Sequence, residues 1–301
     1  MFFEYGTASV KIDITERVLQ TCRKMFIVYI PSCDDARAKL FGDPIWGIVK
    51  SIWIDGVPYG TIPIFVDTVK HEVYTEAIPD YIEQVYPDEV TLARLKAIQN
   101  TLVLRHGSFR DELPEQKMAV RFLHPWDTVL ELGGNVGRNS LIIGSIVKSL
   151  VVLECDPDIA KQLEENRDAN GMRFAIEPAA LSLRPLIQKG WNTIVSEEVI
   201  PGYTKVNTIT LDEIRAKYTY DTLVLDCEGA FYYILQDMPE VVYGVHTIIM
   251  ENDYRDPSHK EYIDGILTEK GFSRIYREAL AAEYAWMKFP CNDSFFEVWS
   301  R

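Results

Sequence analysis

The chain has 301 residues, of which 47% are hydrophobic and 25% are charged. This balance is typical of a globular protein, and the length allows one large domain together with a smaller one. The formal net charge is −14. Because this charge opposes a phosphate backbone and no run of lysine and arginine offsets it, the sequence disfavours a nucleic-acid substrate. A small neutral or weakly charged ligand fits better.

The cysteines and the apolar segments bear on the cellular compartment. The five cysteines are widely spaced and include no Cys-x-x-Cys pair, which indicates reduced thiols. No stretch approaches the ~18 apolar residues that span a bilayer, and the first residues show no basic segment followed by an apolar run. The sequence therefore predicts a cytoplasmic protein with no membrane span.

Residues 1–86 are predicted to form a small, mostly-β N-terminal domain. Apolar and polar residues alternate from Ala8 to Thr15, which is the period of a half-buried strand. The apolar stretch Ile45–Ile54 runs into Asp55-Gly56, a strong hairpin signal. Aromatic residues in this segment suggest either a surface that binds a glycan or partner, or a small core. The aromatic residues considered for such a surface are Trp46, Trp53, Tyr59 and Tyr74. Further strands are predicted over Met25–Ile30, Thr61–Val66 and Glu72–Ala77.

Residues 87–301 alternate strands and helices, which predicts a doubly wound α/β sheet that binds ligands at the carboxyl ends of its strands. Between the first two helices, Arg105–Asp111 reads as a lid or as an ordinary loop. The predicted helices are Pro87–Asn100, Pro114–Leu123, Asn139–Lys148, Pro157–Asn170, Phe231–Met238 and Tyr262–Glu269. The predicted strands are Thr128–Leu132, Leu150–Glu154, Phe174–Glu177, Thr222–Cys227, His246–Glu251, Ser273–Tyr276, Tyr284–Lys288 and Phe295–Trp299.

A glycine-rich turn follows the strand Thr128–Leu132 and leads into a helix. Such a turn places helix N–H groups beside a ligand over the strand end. Glu154 ends the next strand, about 20 residues on, where doubly wound folds place an acid that binds ribose hydroxyls. The loop reads GGNVG, and Glu131 precedes it. An acid there can meet a cationic amino group, so the loop favours S-adenosylmethionine over NAD.

Four segments resemble the FkbM family of S-adenosylmethionine-dependent methyltransferases. ELGGNVGRNS resembles the family loop D-x-G-A-N-x-G-x-x-S, and LECDPD resembles its F-E-P-x-P strand end. VNTITLDEI and LVLDCEGAFYYIL resemble its V-x-x-x-T-L-D-x-x and K-I-D-V-E-G-x-E-x-x-x-L segments. The matches keep family order and imply a Rossmann-like methyltransferase fold. Together with the loop, the resemblance predicts a cofactor site formed by Glu131, Gly133, Gly134, Asn135, Gly137, Asn139, Ser140, Glu154 and Cys155.

Two acids at the end of the strand Thr222–Cys227 are the predicted catalytic residues. Asp226 and Glu228 would partly repel each other, which raises one pKa and suits a general base. Glu228 could instead cap the following helix. A cation bound by these acids and by Glu251 or Asp253 is a second alternative. The sequence favours a base that works without a metal.

The predicted activity is methyl transfer from S-adenosylmethionine to a hydroxyl of a sugar or glycoconjugate. The acceptor is expected to be a small molecule or an oligosaccharide, and the sequence allows a homo-oligomer. One alternative is a catalytically inactive methyltransferase fold that presents the β domain to a glycan or a protein. An NAD-dependent sugar oxidoreductase is another, which the GGNVG loop disfavours.

Overall fold

The computed structural model describes residues 1–24, 27–67, 71–75, 88–190, 192–281 and 289–301. The chain separates into two compact units. The first contains Met1–Pro87 together with Thr268–Tyr276 and Trp299–Arg301, and the second contains Asp88–Leu267 and Arg277–Val298. Two segments near the end of the chain therefore belong to the first unit. The predicted boundary between residues 86 and 87 lies outside the described residues.

Within its described residues, the N-terminal part of the first unit contains two four-stranded sheets and two helices. Its elements are β1 (Phe3–Gly6), β2 (Lys11–Asp13), α1 (Thr15–Thr21), β3 (Arg23–Lys24), β4 (Ile27–Ile30), α2 (Asp34–Phe41), β5 (Ser51–Ile54), β6 (Val57–Pro58), β7 (Ile64–Asp67) and β8 (Glu72–Tyr74). The sheets have the orders β2-β1-β5-β6 and β3-β4-β7-β8, and all their pairings are antiparallel. The prediction of an N-terminal β segment is confirmed.

Local details of this unit differ from the prediction. The hairpin at Asp55-Gly56 is confirmed, with φ of 49° and 84° and Ile54 paired with Val57. The strand predicted across Ala8–Thr15 is wrong in extent because the chain turns back at Thr7, whose N–H donates to Val10 O at 2.9 Å. Only Lys11–Asp13 is strand.

The segment Ile45–Lys50 is not a strand, which corrects the extended apolar stretch expected there. Lys50 is 3% exposed, and its ammonium contacts Asp34 at 3.1 Å and Asp43 at 3.0 Å. Trp46 is 92% exposed. These ion pairs therefore hold the loop in place. They join Lys50 to residues of other segments, and the alternation of polar and apolar residues along the sequence cannot predict such contacts. The two helices of the unit were also absent from the prediction.

The main sheet has seven strands. They are β9 (Thr128–Leu132), β10 (Ser149–Leu153), β11 (Ala175–Glu177), β17 (Thr222–Leu225), β18 (Thr247–Glu251), β19 (Ser273–Glu278) and β20 (Phe296–Ser300). Their order is β11-β10-β9-β17-β18-β20-β19, and the pairings from β11 to β18 are parallel. Strand order reverses at β9, which is the switch point of a doubly wound sheet. The predicted Rossmann-like fold is confirmed.

Helices connect these strands. They are α3 (Asp88–Gln99), α4 (Leu113–Phe122), α5 (Arg138–Gly144), α6 (Pro157–Ala169), α7 (Leu211–Lys217), α8 (Ala230–Asp237) and α9 (Pro257–Glu269), with short 3-10 turns at Pro239–Val242 and Asn292–Ser294. All of these α-helices except α7, which was not predicted, overlap helices that the sequence predicts. Among the described residues, no helix is long and apolar enough to cross a bilayer.

One helix and one strand next to the site end earlier than the sequence predicts. The predicted helix Asn139–Lys148 ends at Gly144, because the N–H of Lys148 bonds to Asp127 O at 3.0 Å and brings the chain into β10. The predicted strand Thr222–Cys227 ends at Leu225, so Asp226 lies just beyond the sheet. The predicted strand Tyr284–Lys288 lies outside the described residues.

Five short strands lie between β11 and α7, in a stretch for which the sequence analysis predicts no helix or strand. Three form an antiparallel sheet in the order β14-β13-β15, and two form the parallel pair β12-β16. They are β12 (Ala180–Leu181), β13 (Leu186–Lys189), β14 (Asn192–Val195), β15 (Thr204–Val206) and β16 (Thr208–Ile209). The strand β13 carries Gln188, which contacts Cys155 at 3.7 Å.

Candidate functional site

The glycine loop between β9 and α5 is shaped by close approaches of the surrounding chain. Gly133 has φ of 92°, and a Cβ there would lie 1.5 Å from the carbonyl oxygen of Asp226. Gly137 has φ of 91°, and a Cβ would lie 2.4 Å from Leu163 Cδ1. Only glycine fits both the backbone angle and the space. Gly133 therefore allows the residue after β17 to pack directly against the loop.

Glu154 joins this loop to the end of β10. Its Oε2 accepts the N–H of Asn135 at 2.7 Å, and its Oε1 accepts the N–H of Asp156 at 2.8 Å. Burial raises the pKa of Glu154, while these N–H donors favour its ionised form. Each carboxylate oxygen has a second lone pair, so the group can also accept hydrogen bonds from two hydroxyls. This is the geometry expected of an acid that binds a diol.

Three predicted cofactor residues carry buried polar atoms without a hydrogen-bond partner. These atoms are Glu131 Oε2, Asn139 Oδ1 and Ser140 Oγ, and the side chains are 2%, 8% and 0% exposed. Burial raises the pKa of Glu131 to about 8; the neighbouring side chains of Ser140 and Asn139 lower it, whereas Glu112 and Glu154 raise it further. Unpaired buried polar atoms are costly. Their position around the glycine loop fits a polar ligand with a cationic group.

Cys155 lies at the edge of this region. Its Sγ is 3.7 Å from Gln188 Oε1, and burial raises its pKa to about 11. The side chain is therefore a neutral thiol at physiological pH, able to pack against a ligand rather than to act as a nucleophile.

Asp226 belongs to a group of three carboxylates that we call the carboxylate cluster: Glu115, Asp226 and Glu251. One oxygen of each lies within 4.8 Å of one oxygen of the others. The residues come from the first turn of α4 and from the carboxyl ends of β17 and β18. Burial, followed by neighbouring acids, raises the pKa of Asp226 and Glu251 well above its usual range. Burial raises the pKa of Glu115 to about 7.

Glu228 and Asp253 lie at the exposed side of the same strand ends. Glu228 is exposed and has φ of 52°. Asp253 is 8% exposed, and burial together with Glu228 raises its pKa to about 7. Helix α8 begins after Gly229 without a side-chain cap, so the structure does not give Glu228 the capping role. The two predicted catalytic acids therefore differ in exposure: Asp226 is partly buried, and Glu228 is exposed to solvent.

Sequence reasoning missed two acids at the start of α4. Glu112 Oε1 accepts hydrogen bonds from Arg138 at 2.5 Å and from Asn135 Nδ2 at 3.3 Å, which connects α4 to the glycine loop. Glu115 joins the carboxylate cluster. Pro114 signalled the start of this helix, but no local pattern could show that its first turn lies against the ends of two strands far along the chain.

The loop Arg105–Asp111 is held in place by Asn166 of α6. Asn166 Oδ1 accepts the N–H of Arg105 at 2.7 Å and of His106 at 3.1 Å. Its Nδ2 donates to Val136 O at 2.7 Å. These bonds join the loop to α6 and to the glycine turn.

A second group of acids lies at the opposite edge of the sheet. His246 Nε2 is 3.5 Å from Asp221 Oδ1 and 3.7 Å from Asp127 Oδ1. The aspartates also accept main-chain N–H groups, from Thr128 at 2.9 Å and from His124 at 2.8 Å. His246 is thus packed between strand ends.

Comparison with known proteins finds no matching family model and no matching curated protein. Solved structures that resemble the chain include a ribosomal protein L11 methylase from Lactobacillus delbrueckii subsp. bulgaricus, with 12% identity, a TM-score of 0.44 and coverage of 65% of this chain and 80% of the other. Another is a tRNA (m1A22) methyltransferase described as putative, from Streptococcus pneumoniae in complex with S-adenosyl-L-methionine, with 13% identity, a TM-score of 0.38, and coverage of 62% and 72%.

A third is the methyltransferase FkbM from Methylobacillus flagellatus, with 9% identity, a TM-score of 0.42, and coverage of 70% of this chain and 59% of the other. These three structures are a ribosomal protein methylase, a tRNA methyltransferase and FkbM. Membership of the FkbM family therefore stays a prediction from the four motifs. The doubly wound fold itself is established by the strand order and the parallel pairings of the main sheet.

Proposed function

We propose that this chain is an FkbM-like, S-adenosylmethionine-dependent O-methyltransferase that acts on a hydroxyl of a sugar or glycoconjugate. The observation that carries the proposal is the pair of acids at the switch point of the sheet. Glu154 follows β10 and Asp226 follows β17, and these strands flank β9 on its two sides. Ligands of doubly wound sheets bind at this edge, so a cofactor and an acceptor can lie next to each other there.

The cofactor half of the proposal rests on the residues around the glycine loop. Glu154 would accept the ribose hydroxyls, since both of its oxygens keep a free lone pair beside the loop. The unpaired oxygens of Glu131 and Ser140 suit the polar end of the same ligand, with Asn139 beside them. When bound, S-adenosylmethionine supplies a methyl group attached to a positively charged sulfur.

The acceptor half rests on Asp226 and Glu228, which we assign to the hydroxyl that loses its proton. An alcohol is a poor nucleophile at neutral pH and needs such help. The acids at these strand ends repel phosphate groups, which favours a sugar over RNA as the acceptor. The N-terminal β segment, with Trp46 exposed, is proposed to bind the glycan or a protein partner.

Calorimetry and labelling test this proposal in sequence. The full chain should bind S-adenosylmethionine and S-adenosylhomocysteine saturably, and NAD not at all. Incubation with labelled S-adenosylmethionine and a pool of glycans should then transfer label to a product identified by mass spectrometry. Binding of NAD alone would overturn the proposal. Cofactor binding without transfer to any acceptor class, RNA included, would favour the inactive binding module.

A further inference from the structure

The carboxylate cluster is the most unusual electrostatic feature of the described chain. Glu115, Asp226 and Glu251 come from one helix and two strand ends, yet one oxygen of each lies within 4.8 Å of the others. Like charges this close repel strongly when they are removed from water. The group therefore needs either protons or a cation to balance its charge.

No lysine or arginine of the described residues supplies that balance. Within the part of the chain that the structure describes, no lysine or arginine forms an ion pair with any member of the cluster. The basic residues near the start of α4 are already engaged: Arg138 pairs with Glu112 at 2.5 Å and Asp111 at 3.5 Å. Lys117, on the same helix as Glu115, pairs with Asp88 at 3.1 Å. The charge of the cluster can therefore be balanced by protons on its carboxyls, as in a Glu115–Glu251 hydrogen bond, or by a cation taken from solution.

Glu115 provides an independent sign of a ligand. Its side chain is 8% exposed, and its Oε2 has no hydrogen-bond partner. A buried, unpaired carboxylate oxygen costs several times what a typical hydrogen bond contributes. Glu115 belongs to a different element from Asp226 and Glu251, and one of its carboxylate oxygens lies within 4.8 Å of an oxygen of each. Those two residues are only partly buried, which leaves a way in for a hydrated ion.

We propose that Glu115, Asp226 and Glu251 bind a divalent cation of the Mg²⁺, Mn²⁺ or Ca²⁺ class. Such hard cations take carboxylate oxygens at ~2.0–2.6 Å, so two oxygens on one ion lie at most ~4–5 Å apart. The separations in the cluster match this limit. An all-oxygen set without histidine or cysteine excludes the softer metals as preferred occupants.

The cation would also explain how an acceptor loses its proton, and this part rests on the proposed function. An ion beside the acceptor lowers the pKa of the hydroxyl that it contacts. The O–H bond then breaks with its electron pair left on oxygen, and the proton passes to the exposed carboxylate of Glu228. This differs from the metal-free base that the sequence favours. We favour the cation here because Glu115 adds a third carboxylate to the two at the strand ends, which gives a set of three ligands.

Metal binding to the metal-free full chain tests the site without any need for turnover. Mn²⁺ titration followed by electron paramagnetic resonance should show one site, with Mg²⁺ and Ca²⁺ competing. Glu115→Gln and Glu251→Gln keep side-chain shape and should each weaken Mn²⁺ binding by at least ~10-fold. Glu261→Gln, an exposed change on α9, is the matched control and should leave binding unchanged. Circular dichroism checks that each variant is folded.

Two results would overturn the site. One is the absence of Mn²⁺, Mg²⁺ and Ca²⁺ binding at millimolar concentration in a folded chain. The other is binding that both cluster variants leave intact, which would place the ion elsewhere. Binding of S-adenosylmethionine, measured in the same samples, separates this failure from that of the proposed function. A chain that binds Mn²⁺ but no cofactor keeps the site and loses the methyltransferase assignment.

Discussion

The two edges of the main sheet carry similar acids in opposite states. At the amino ends of the strands, Asp127 and Asp221 hold His246 between them and accept main-chain N–H groups. At the carboxyl ends, Glu115, Asp226 and Glu251 lie close together, and no lysine or arginine of the described residues forms an ion pair with them. The comparison teaches that burial of acids alone does not mark a site. The carboxyl edge differs from the amino edge because, among the described residues, its acids have no histidine between them.

The largest effect is expected at the carboxyl edge, from Asp226→Asn. This change keeps the shape of the side chain but removes its charge. Turnover should fall by roughly 10²–10⁴-fold, the usual contribution of a group that manages proton transfer. Binding of S-adenosylmethionine should change little, because Glu154 and the glycine loop are intact. Single-turnover kinetics, with an acceptor that the unchanged protein methylates, measure the loss of turnover. An equal loss of cofactor affinity and of turnover would contradict the prediction.

Glu154→Ala should weaken cofactor binding by about 1–3 kcal/mol, because hydroxyl donors lose a charged acceptor. The N–H groups of Asn135 and Asp156 lose their partner too, so the loop should loosen. Calorimetry with S-adenosylhomocysteine measures the change. Glu164→Gln, an exposed change on α6, serves as the control. Unchanged affinity in the alanine variant would remove Glu154 from the cofactor site.

At the amino edge the expected loss is in stability and not in binding. Asp221→Ala leaves the N–H of Thr128 without its acceptor and removes a neighbour of His246. The free energy of unfolding should fall by about 1–3 kcal/mol, the cost of an unsatisfied buried group. Affinity for Mn²⁺ and for S-adenosylmethionine should stay as in the unchanged protein. Denaturant titration measures the free energy of unfolding. A loss of Mn²⁺ affinity in this variant would show that the amino edge also affects ion binding and would contradict the comparison of the two edges.

The last prediction concerns the dependence of stability on pH. The pKa of Glu131 is raised from 4.5 to about 8, and those of Glu115 and Asp253 to about 7. A carboxyl whose pKa is higher when folded binds more protons in the folded state than in the unfolded state. Such a carboxyl therefore favours folding most below its unfolded pKa, and this contribution to stability is lost as the pH rises toward 7–8.

The melting temperature of the metal-free chain should thus fall between about pH 5 and pH 8. Mn²⁺ should restore part of this loss, and more at the higher pH, because the ion binds the deprotonated carboxylates. Scanning calorimetry at both pH values, with and without Mn²⁺, measures it. A flat profile, or equal stabilisation at the two values, would speak against a cation at the carboxyl edge.

The sequence by itself determined the parts of this protein that depend on neighbouring residues. The glycine loop, the acids Glu154 and Asp226 after their strands, and the alternation of strands and helices follow from residue type and period. Most element boundaries agree to within a few residues. The helix after the loop was predicted too long because the hydrogen bond that ends it reaches Asp127, outside any local pattern.

Only the tertiary structure decided which distant residues meet. It placed Glu115 beside Asp226 and Glu251, set His246 between two aspartates, and brought Thr268–Tyr276 and Trp299–Arg301 into the first unit. The physical reason is the same in each case. Helix and strand periods describe which face of an element is buried, but the partner of that face is set by packing between segments far apart in the chain, and the charge balance of a buried group depends on that partner.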